Sequence, residues 1–296
     1  MVTTLHFPDQ HSRSDPPNLY ELSRTDIPGA GLKFVIRNTK QIYNGHSQVY
    51  IASLTCEGHR SEDVVCKVAF GKRKIARLRH EAEIYLHLHK LQRDAIPACY
   101  GLFEGELEDG PSACLVTEYC GNTLETSFDC IDLELRIDII EALAKIHAAG
   151  VQHGDIREYN VVLYQNRQPT IIDFDRAEKH QCLCPRPILF DVTEPYRNEF
   201  GCNELYQICL DCDVWTPNMV RCSSGYVHVR YLETPEMLAS VAFANVPKEE
   251  ALRQAHIVIE RYERVYGKWV DCNPIPWYVD EGGRLHSSGA CRKNGV

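Results

Sequence analysis

No stretch of this chain holds the run of about 18 apolar residues that a membrane-spanning helix needs, so no membrane span is expected. Basic charge is also scarce. The 32 Lys and Arg stand against 41 Asp and Glu, a formal net charge of −9. That balance argues against nucleic acid as a partner, because such binding faces are basic. The first residues, Met1-Val2-Thr3-Thr4-Leu5-His6-Phe7-Pro8, lack the basic and apolar stretches of a secretory signal. The expectation is an intracellular, cytoplasmic protein whose 14 cysteines stay as thiols in a reducing compartment. A second close cysteine pair is missing too. Structural zinc draws on two such pairs or on a Cys/His set, and Cys209-x-x-Cys212 is the one C-x-x-C present. Cys182-x-Cys184 is too tight for a knuckle, and Cys202 and Cys222 stand apart. Buried thiols are the expected state of this cluster, given the burial habit of cysteine. No internal repeat is visible.

What is present reads as an ordinary globular chain, with 44% hydrophobic and 25% charged residues. Residues 1–31 are polar and proline-containing and are expected to form a flexible arm. Leu32–Ile36, Val49–Leu54 and Val64–Ala69 alternate or carry β-branched runs, which predicts three strands. Ile75, Leu78, Ala82 and Tyr85 recur at helical spacing within 74–91, and two further strands are expected around Leu102 and over Ala113–Tyr119. The order is β-β-β-α-β-β. Gly121 then punctuates the chain. Residues 132–148 carry an apolar stripe with Asp132 as N-cap, and residues 248–266 form a second amphipathic helix. Residues 271–296 are rich in Gly, Ser and Pro and are expected to be loose.

The chemistry concentrates in His153-Gly154-Asp155-Ile156-Arg157-Glu158-Tyr159-Asn160 and in Ile171-Ile172-Asp173-Phe174-Asp175. Phosphoryl transfer needs one carboxylate to orient the attacking hydroxyl, and an amide with a second carboxylate to hold Mg²⁺ against the phosphates. Asp155, Asn160 and Asp173 offer that set in the spacing of the H-R-D-x-x-x-x-N loop and the later D-F-G. Over roughly residues 40–180 the chain resembles the protein-kinase-like superfamily. The H-G-D and I-D-F-D motifs are similar to those of its atypical branch, which includes aminoglycoside and choline phosphotransferases and many fungal kinase-like proteins. The resemblance implies an α+β, bilobal kinase-like fold, with a small antiparallel-β N-lobe carrying one helix and a mainly helical C-lobe. The implied boundaries are 32–117 for the N-lobe, 118–122 for the hinge and 123–270 for the C-lobe.

The same resemblance implies roles upstream. Lys67 follows a strand as the lysine of V-A-I-K does and would reach the nucleotide phosphates. Glu81, on the next helix, is its expected anionic partner, with Glu83 as the rival. The glycine-rich loop is degenerate: in Asn44-Gly45-His46-Ser47-Gln48-Val49 only Gly45 is glycine. Gly45 and Ser47 would still face phosphate, although a plain Asn-Gly hairpin has the same shape. Leu115–Gly121 resembles a gatekeeper and hinge, with Glu118 and Cys120 offering backbone groups to adenine, and Val49, Val65 and Val162 packing on its ring. Asp155 is the expected base, Arg157 a contact to the transferred phosphoryl group, and Asn160 and Asp173 the Mg²⁺ ligands. Three departures stand out. Gly154 replaces the arginine of H-R-D, Asp175 replaces the glycine of D-F-G, and Thr193-Glu194-Pro195 is the nearest sequence to A-P-E. The expected function is an ATP- and Mg²⁺-dependent phosphotransferase, leaning to a protein Ser/Thr kinase. A small-molecule kinase of the aminoglycoside/choline type and a pseudokinase scaffold are the alternatives.

Overall fold

Seven strands close into a barrel: β1 (Thr4–Pro8), β2 (Leu19–Arg24), β3 (Lys33–Asn44), β4 (Gln48–Cys56), β5 (Glu62–Phe70), β6 (Cys99–Leu107) and β7 (Gly110–Glu118). Around the barrel the order is β1-β2-β6-β7-β5-β4-β3. All neighbours are antiparallel except β1 with β3, which run parallel. The computed structural model describes residues 2–10, 12, 14, 17–27, 31–56, 60–164, 168–184, 187–267, 278–279 and 285–286. Among them no helix is long and apolar enough to cross a membrane.

The period-2 pattern decides which way each strand faces. In β5, Val64, Cys66 and Val68 point into the barrel core with Leu5, Phe7, Leu22, Ile36 and Phe103. Val65 and Lys67 therefore lie on the outer face. Across β4 and β5 Val49 stands opposite Lys67, and across β5 and β7 Val65 stands opposite Thr117. Helix α1 (Lys72–His87) packs against β5, β6 and β7 and buries Ile75, Leu78, Glu81, Ala82 and Tyr85.

The expected flexible arm over residues 1–31 is corrected here. Its polar and proline-rich composition conceals two strands, and Leu5, Phe7 and Leu22 are fully or almost fully buried. These strands close an otherwise open sheet by bridging β3 and β6. Closure removes the unpaired edges that a five-stranded sheet presents.

Beyond the barrel come β8 (Asn122–Thr123), α2 (Leu133–Ala148), β9 (Val151–Gln152), β10 (Val161–Leu163), β11 (Thr170–Ile171) and β12 (Glu178–Lys179). Two small sheets result, β11-β10-β8 and β12-β9. Helices α3 (Arg197–Phe200) and α4 (Asn203–Asp211) follow, then a hairpin of β13 (Met219–Cys222) and β14 (Gly225–His228), then α5 (Pro235–Ser240) and α6 (Lys248–Tyr266). The chain divides into two units, Met1–Cys184 with Gly201–Cys212, and Pro185–Phe200 with Asp213–Val296. The second unit has its own core of Val229, Leu232, Leu238, Ala255 and Tyr262. The expected loose tail at 271–296 falls outside the described residues, apart from a short pairing of Tyr278–Val279 with Leu285–His286.

Phe7 tests the closed barrel. Phe7→Ala is expected to lower stability in urea titrations by about 3–5 kcal/mol, the cost of a large hole in a packed core. A change within about 0.5 kcal/mol, as at a surface position, would return residues 1–31 to an arm.

Candidate active site

Lys67 leaves the outer face of β5 and meets two carboxylates from different elements. Its Nζ donates to Glu81 Oε2 at 2.7 Å and to Asp173 Oδ1 at 2.5 Å. The exposure of the three side chains is graded: 3% for Glu81, 21% for Lys67 and 38% for Asp173. Glu81 is thus the buried anchor, and Asp173 the group that solvent or a ligand reaches. Burial acts to lower the Lys67 pKa, but Glu81 and Asp173 together outweigh it and raise it above that of an ordinary lysine. Burial raises the Glu81 carboxyl, with Lys67 opposing. Glu81, rather than Glu83, is therefore the partner on α1.

The catalytic-type loop, residues 153–160, joins β9 to β10. His153 is fully buried. Its Nε2 lies 2.9 Å from the Ile172 carbonyl, which can only accept, so Nε2 carries the proton. Its Nδ1 then accepts from the Asp155 N–H at 3.3 Å. The ring leans on Phe174, and Phe174 meets Tyr85 of α1 edge-on, with centroids 5.0 and 5.2 Å apart. His80 of α1 adds a bond from Nε2 to the Ala177 carbonyl at 2.7 Å. These contacts tie α1, the D-F-D segment and the loop together, so His153 acts through packing and backbone contacts.

Asn160 is buried and donates from Nδ2 to the Asp155 carbonyl at 2.8 Å, leaving its Oδ1 as the remaining acceptor. Asp173 has φ of 69°, a left-handed conformation uncommon for any residue but glycine. Asp155 Oδ2 lies 3.5 Å from Arg176 Nη1. The Arg157 carbonyl accepts from the Asn160 N–H at 2.9 Å, which closes the turn between them. Two glycines are fixed by close approach. At Gly154, φ is 81° and an added Cβ would lie 2.5 Å from the Arg176 carbonyl oxygen; at Gly121, φ is 105° and the Cβ would lie 1.9 Å from the Leu163 carbonyl oxygen. A side chain has no room at position 154, which is a local reason for glycine where H-R-D has arginine.

Sequence reasoning missed Glu204. In the first turn of α4, its Oε2 accepts from the His153 N–H at 2.9 Å and its Oε1 from the Gly154 N–H at 2.7 Å. Oε2 also accepts from His147 Nε2 of α2 at 2.6 Å. Burial acts to raise the Glu204 pKa, but these three donors outweigh it and hold the carboxyl below the ordinary carboxylate value. Nothing near Glu204 in sequence marks it, because its partners lie about fifty residues upstream.

The remaining predicted residues are spread along the same face and beyond. Val49 and Val65 share the outer face with Lys67, as the register requires. Val162 is buried in β10 beside Thr123 and Thr170. Gly45 and Ser47 form the turn between β3 and β4, where the Gly45 N–H donates to the Ser47 carbonyl at 3.1 Å. Glu118 exchanges bonds with Ala98: its N–H donates to the Ala98 carbonyl at 2.8 Å, and its carboxylate accepts from the Ala98 N–H at 3.2 Å. Burial, with Glu118 adding to it, pushes the Cys120 thiol up to about 12. A cleft of about 880 Å³ touches Glu118 and Cys120 but also Glu62, Arg93, Tyr100 and Thr170, and none of Lys67, Asp155 and Asp173 lines it.

Glu204→Ala leaves the His153 and Gly154 amides and the His147 ring without their acceptor. His147 and His153 are buried, and each stranded buried group costs about 1–3 kcal/mol, while Gly154 is exposed and its amide can turn to water. The expected result is a stability loss of roughly 2 kcal/mol or more, with faster amide exchange at His153 and Gly154. Unchanged exchange at both amides would contradict the role given to Glu204.

The RIO domain model matches residues 108–187, from β7 through the D-F-D segment. A probable serine/threonine-protein kinase of Streptomyces coelicolor is 34% identical over 110 residues, covering 34% of this chain and 16% of that protein. The meiotic driver SPOK2 of Podospora anserina is 32% identical over 121 residues, covering 38% of this chain and 15% of that protein. The chain thus spans about a sixth of the length of the curated relatives it matches. Among solved structures, a Stt7 homolog from Micromonas algae soaked with ATP aligns with a TM-score of 0.41 at 20% identity, covering 53% of each chain. The RIO match and the kinase relative support the protein-kinase-like superfamily for this chain.

Proposed function

We propose that the chain is an ATP- and Mg²⁺-dependent phosphotransferase that moves the γ-phosphoryl group to a hydroxyl, with a protein Ser/Thr side chain favoured as acceptor. The observation that carries this reading is the Lys67 ammonium held between buried Glu81 and the more exposed Asp173, with the loop over 153–160 tied to the D-F-D segment by the contact of the His153 ring with Phe174. In this reading residues 32–117, closed into the barrel by β1 and β2, form the nucleotide-holding lobe, 118–122 the hinge and 123–270 the helical lobe. Gly45, Ser47, Val49, Val65, Glu118, Cys120 and Val162 border the nucleotide. The likeness to the Streptomyces kinase and the cation at Arg157 support the protein acceptor.

The donor set fits Mg²⁺. Asn160 Oδ1 and the Asp173 carboxylate are hard oxygen ligands, and Asn160 Nδ2 is already engaged elsewhere. Bound there, Mg²⁺ supplies charge neutralisation at the phosphates. The protein's own part is positioning. Lys67 presents a fixed cation to the phosphates, and Glu81 keeps it from swinging away. Asp155 orients the acceptor hydroxyl and takes up its proton. Arg157 adds positive charge where the transferred group develops negative charge, an electrostatic contribution that grows as water is excluded. Gly45 as the one glycine of the turn between β3 and β4 favours, as a second reading, a scaffold that binds nucleotide without turnover.

Asp155→Asn separates the two. If Asp155 orients the hydroxyl, the variant keeps wild-type ATP affinity and loses transfer by roughly two to four orders of magnitude, the range for a positioned acid–base group. The assay pairs wild type and variant on Ser/Thr peptides, aminoglycosides, choline and sugars. Equal ATP consumption by both proteins on every acceptor would overturn the enzyme reading in favour of the scaffold.

A further inference from the structure

Behind the catalytic-type loop, four side chains that no short sequence motif connects bring their ligand atoms together. They are His147 at the end of α2, His180 and Cys182 just after β12, and Cys202 at the N-terminus of α4. One ligand atom from each lies within 4.8 Å of every other. Cys202 Sγ is 3.5 Å from His147 Nδ1 and 3.7 Å from His180 Nε2. With metal–ligand bonds of about 2.3 Å to sulfur and about 2.05 Å to nitrogen, the sulfur–nitrogen edge of a zinc tetrahedron is about 3.6 Å. A thiol can donate to one imidazole and accept from the other at these distances, so it is the convergence of four ligand atoms, not this pair of distances, that carries the site.

The orientation of His147 is a second, independent observation. Its Nε2 is engaged by Glu204 at 2.6 Å, so the ring is held in the tautomer that turns the Nδ1 lone pair toward the two sulfurs and His180. A carboxylate that receives one ring N–H while the other nitrogen faces a ligand cluster is the usual support for a metal-binding histidine. His147 and Cys202 are buried, and His180 and Cys182 are partly so, which suits a closed four-ligand site rather than an open catalytic one.

We propose that His147, His180, Cys182 and Cys202 bind one Zn²⁺ ion as a tetrahedral structural site. Two thiolates and two imidazoles select zinc among the hard and soft divalent ions. The ion joins α2, the segment after β12 and the start of α4. Through His147 it also fixes Glu204, whose carboxylate holds the His153 and Gly154 amides. The site therefore braces the loop that carries Asp155. It does not depend on the proposed phosphotransfer, because its ligands and the test below involve no nucleotide.

The test uses the full chain, expressed with zinc in the medium and purified without a metal-affinity tag. Elemental analysis is expected to find close to one zinc per chain. It should find close to none in the His180→Ala/Cys202→Ser double variant, and unchanged content in Cys222→Ser. Chelation should lower the melting temperature by about 5 °C or more, and added zinc should restore it. If the double variant fails to fold, cobalt decides the matter in the wild-type chain. Co²⁺ added after chelation should give the intense visible bands of a tetrahedral site together with thiolate charge transfer. Zinc at background level in the wild type, or cobalt bound with only weak octahedral bands, would overturn the proposal.

Discussion

One buried charge sets the terms for the rest of this site. The Glu81 carboxylate sits beneath α1 almost wholly out of water, and it is tolerated there because Lys67 reaches it from β5. Removing one partner of such a pair leaves an uncompensated buried charge at a cost of several kcal/mol. The barrel strand and the helix are therefore locked in one register. Asp173 completes the contact from a third element, in a backbone conformation that few non-glycine residues adopt. A strained residue persists only where its surroundings over-determine it. Here those surroundings are the Lys67 ammonium, the Phe174 ring wedged between Tyr85 and His153, and the Ala177 carbonyl held by His80.

The second constraint is the path of the backbone at the loop. Gly154 and Gly121 both run so close to a neighbouring carbonyl that a Cβ would collide with it. The amides exposed by the Gly154 turn find their acceptor in Glu204, nine-tenths buried and supplied by α4. H-G-D and Glu204 are thus two halves of one arrangement. The glycine frees the backbone to turn, and the carboxylate receives the N–H groups so presented.

Much of this was legible in the sequence because it is local. The Lys67 strand, the helix with Glu81 fourteen residues on, and the spacing of Asp155, Asn160 and Asp173 are short-range patterns. They locate one another once the order of elements is known. The helices over 133–148 and 248–266 were equally plain, since their apolar stripes repeat at 3.6 residues. What escaped is non-local. Glu204 and the His147–His180–Cys182–Cys202 cluster are assembled by tertiary packing across as many as 57 positions, which no spacing rule spans. The C-x-x-C that attracted attention, Cys209 and Cys212, lies buried on and just after α4, outside that cluster. The strands at Thr4–Pro8 and Leu19–Arg24 escaped for a different reason. Charged and proline residues between them mask short apolar alternations whose meaning comes only from barrel closure.

The claim at the centre is that Lys67, pinned by Glu81 and Asp173, marks a nucleotide site. Isothermal titration calorimetry of ATP into wild type and Lys67→Ala, each with and without Mg²⁺, addresses it most directly. The account predicts ATP binding to the wild type that tightens when Mg²⁺ is present, and a loss of at least tenfold in affinity, about 1.4 kcal/mol, in the variant. No heat of binding to the wild type under either condition, or equal affinity in the two proteins, would contradict it.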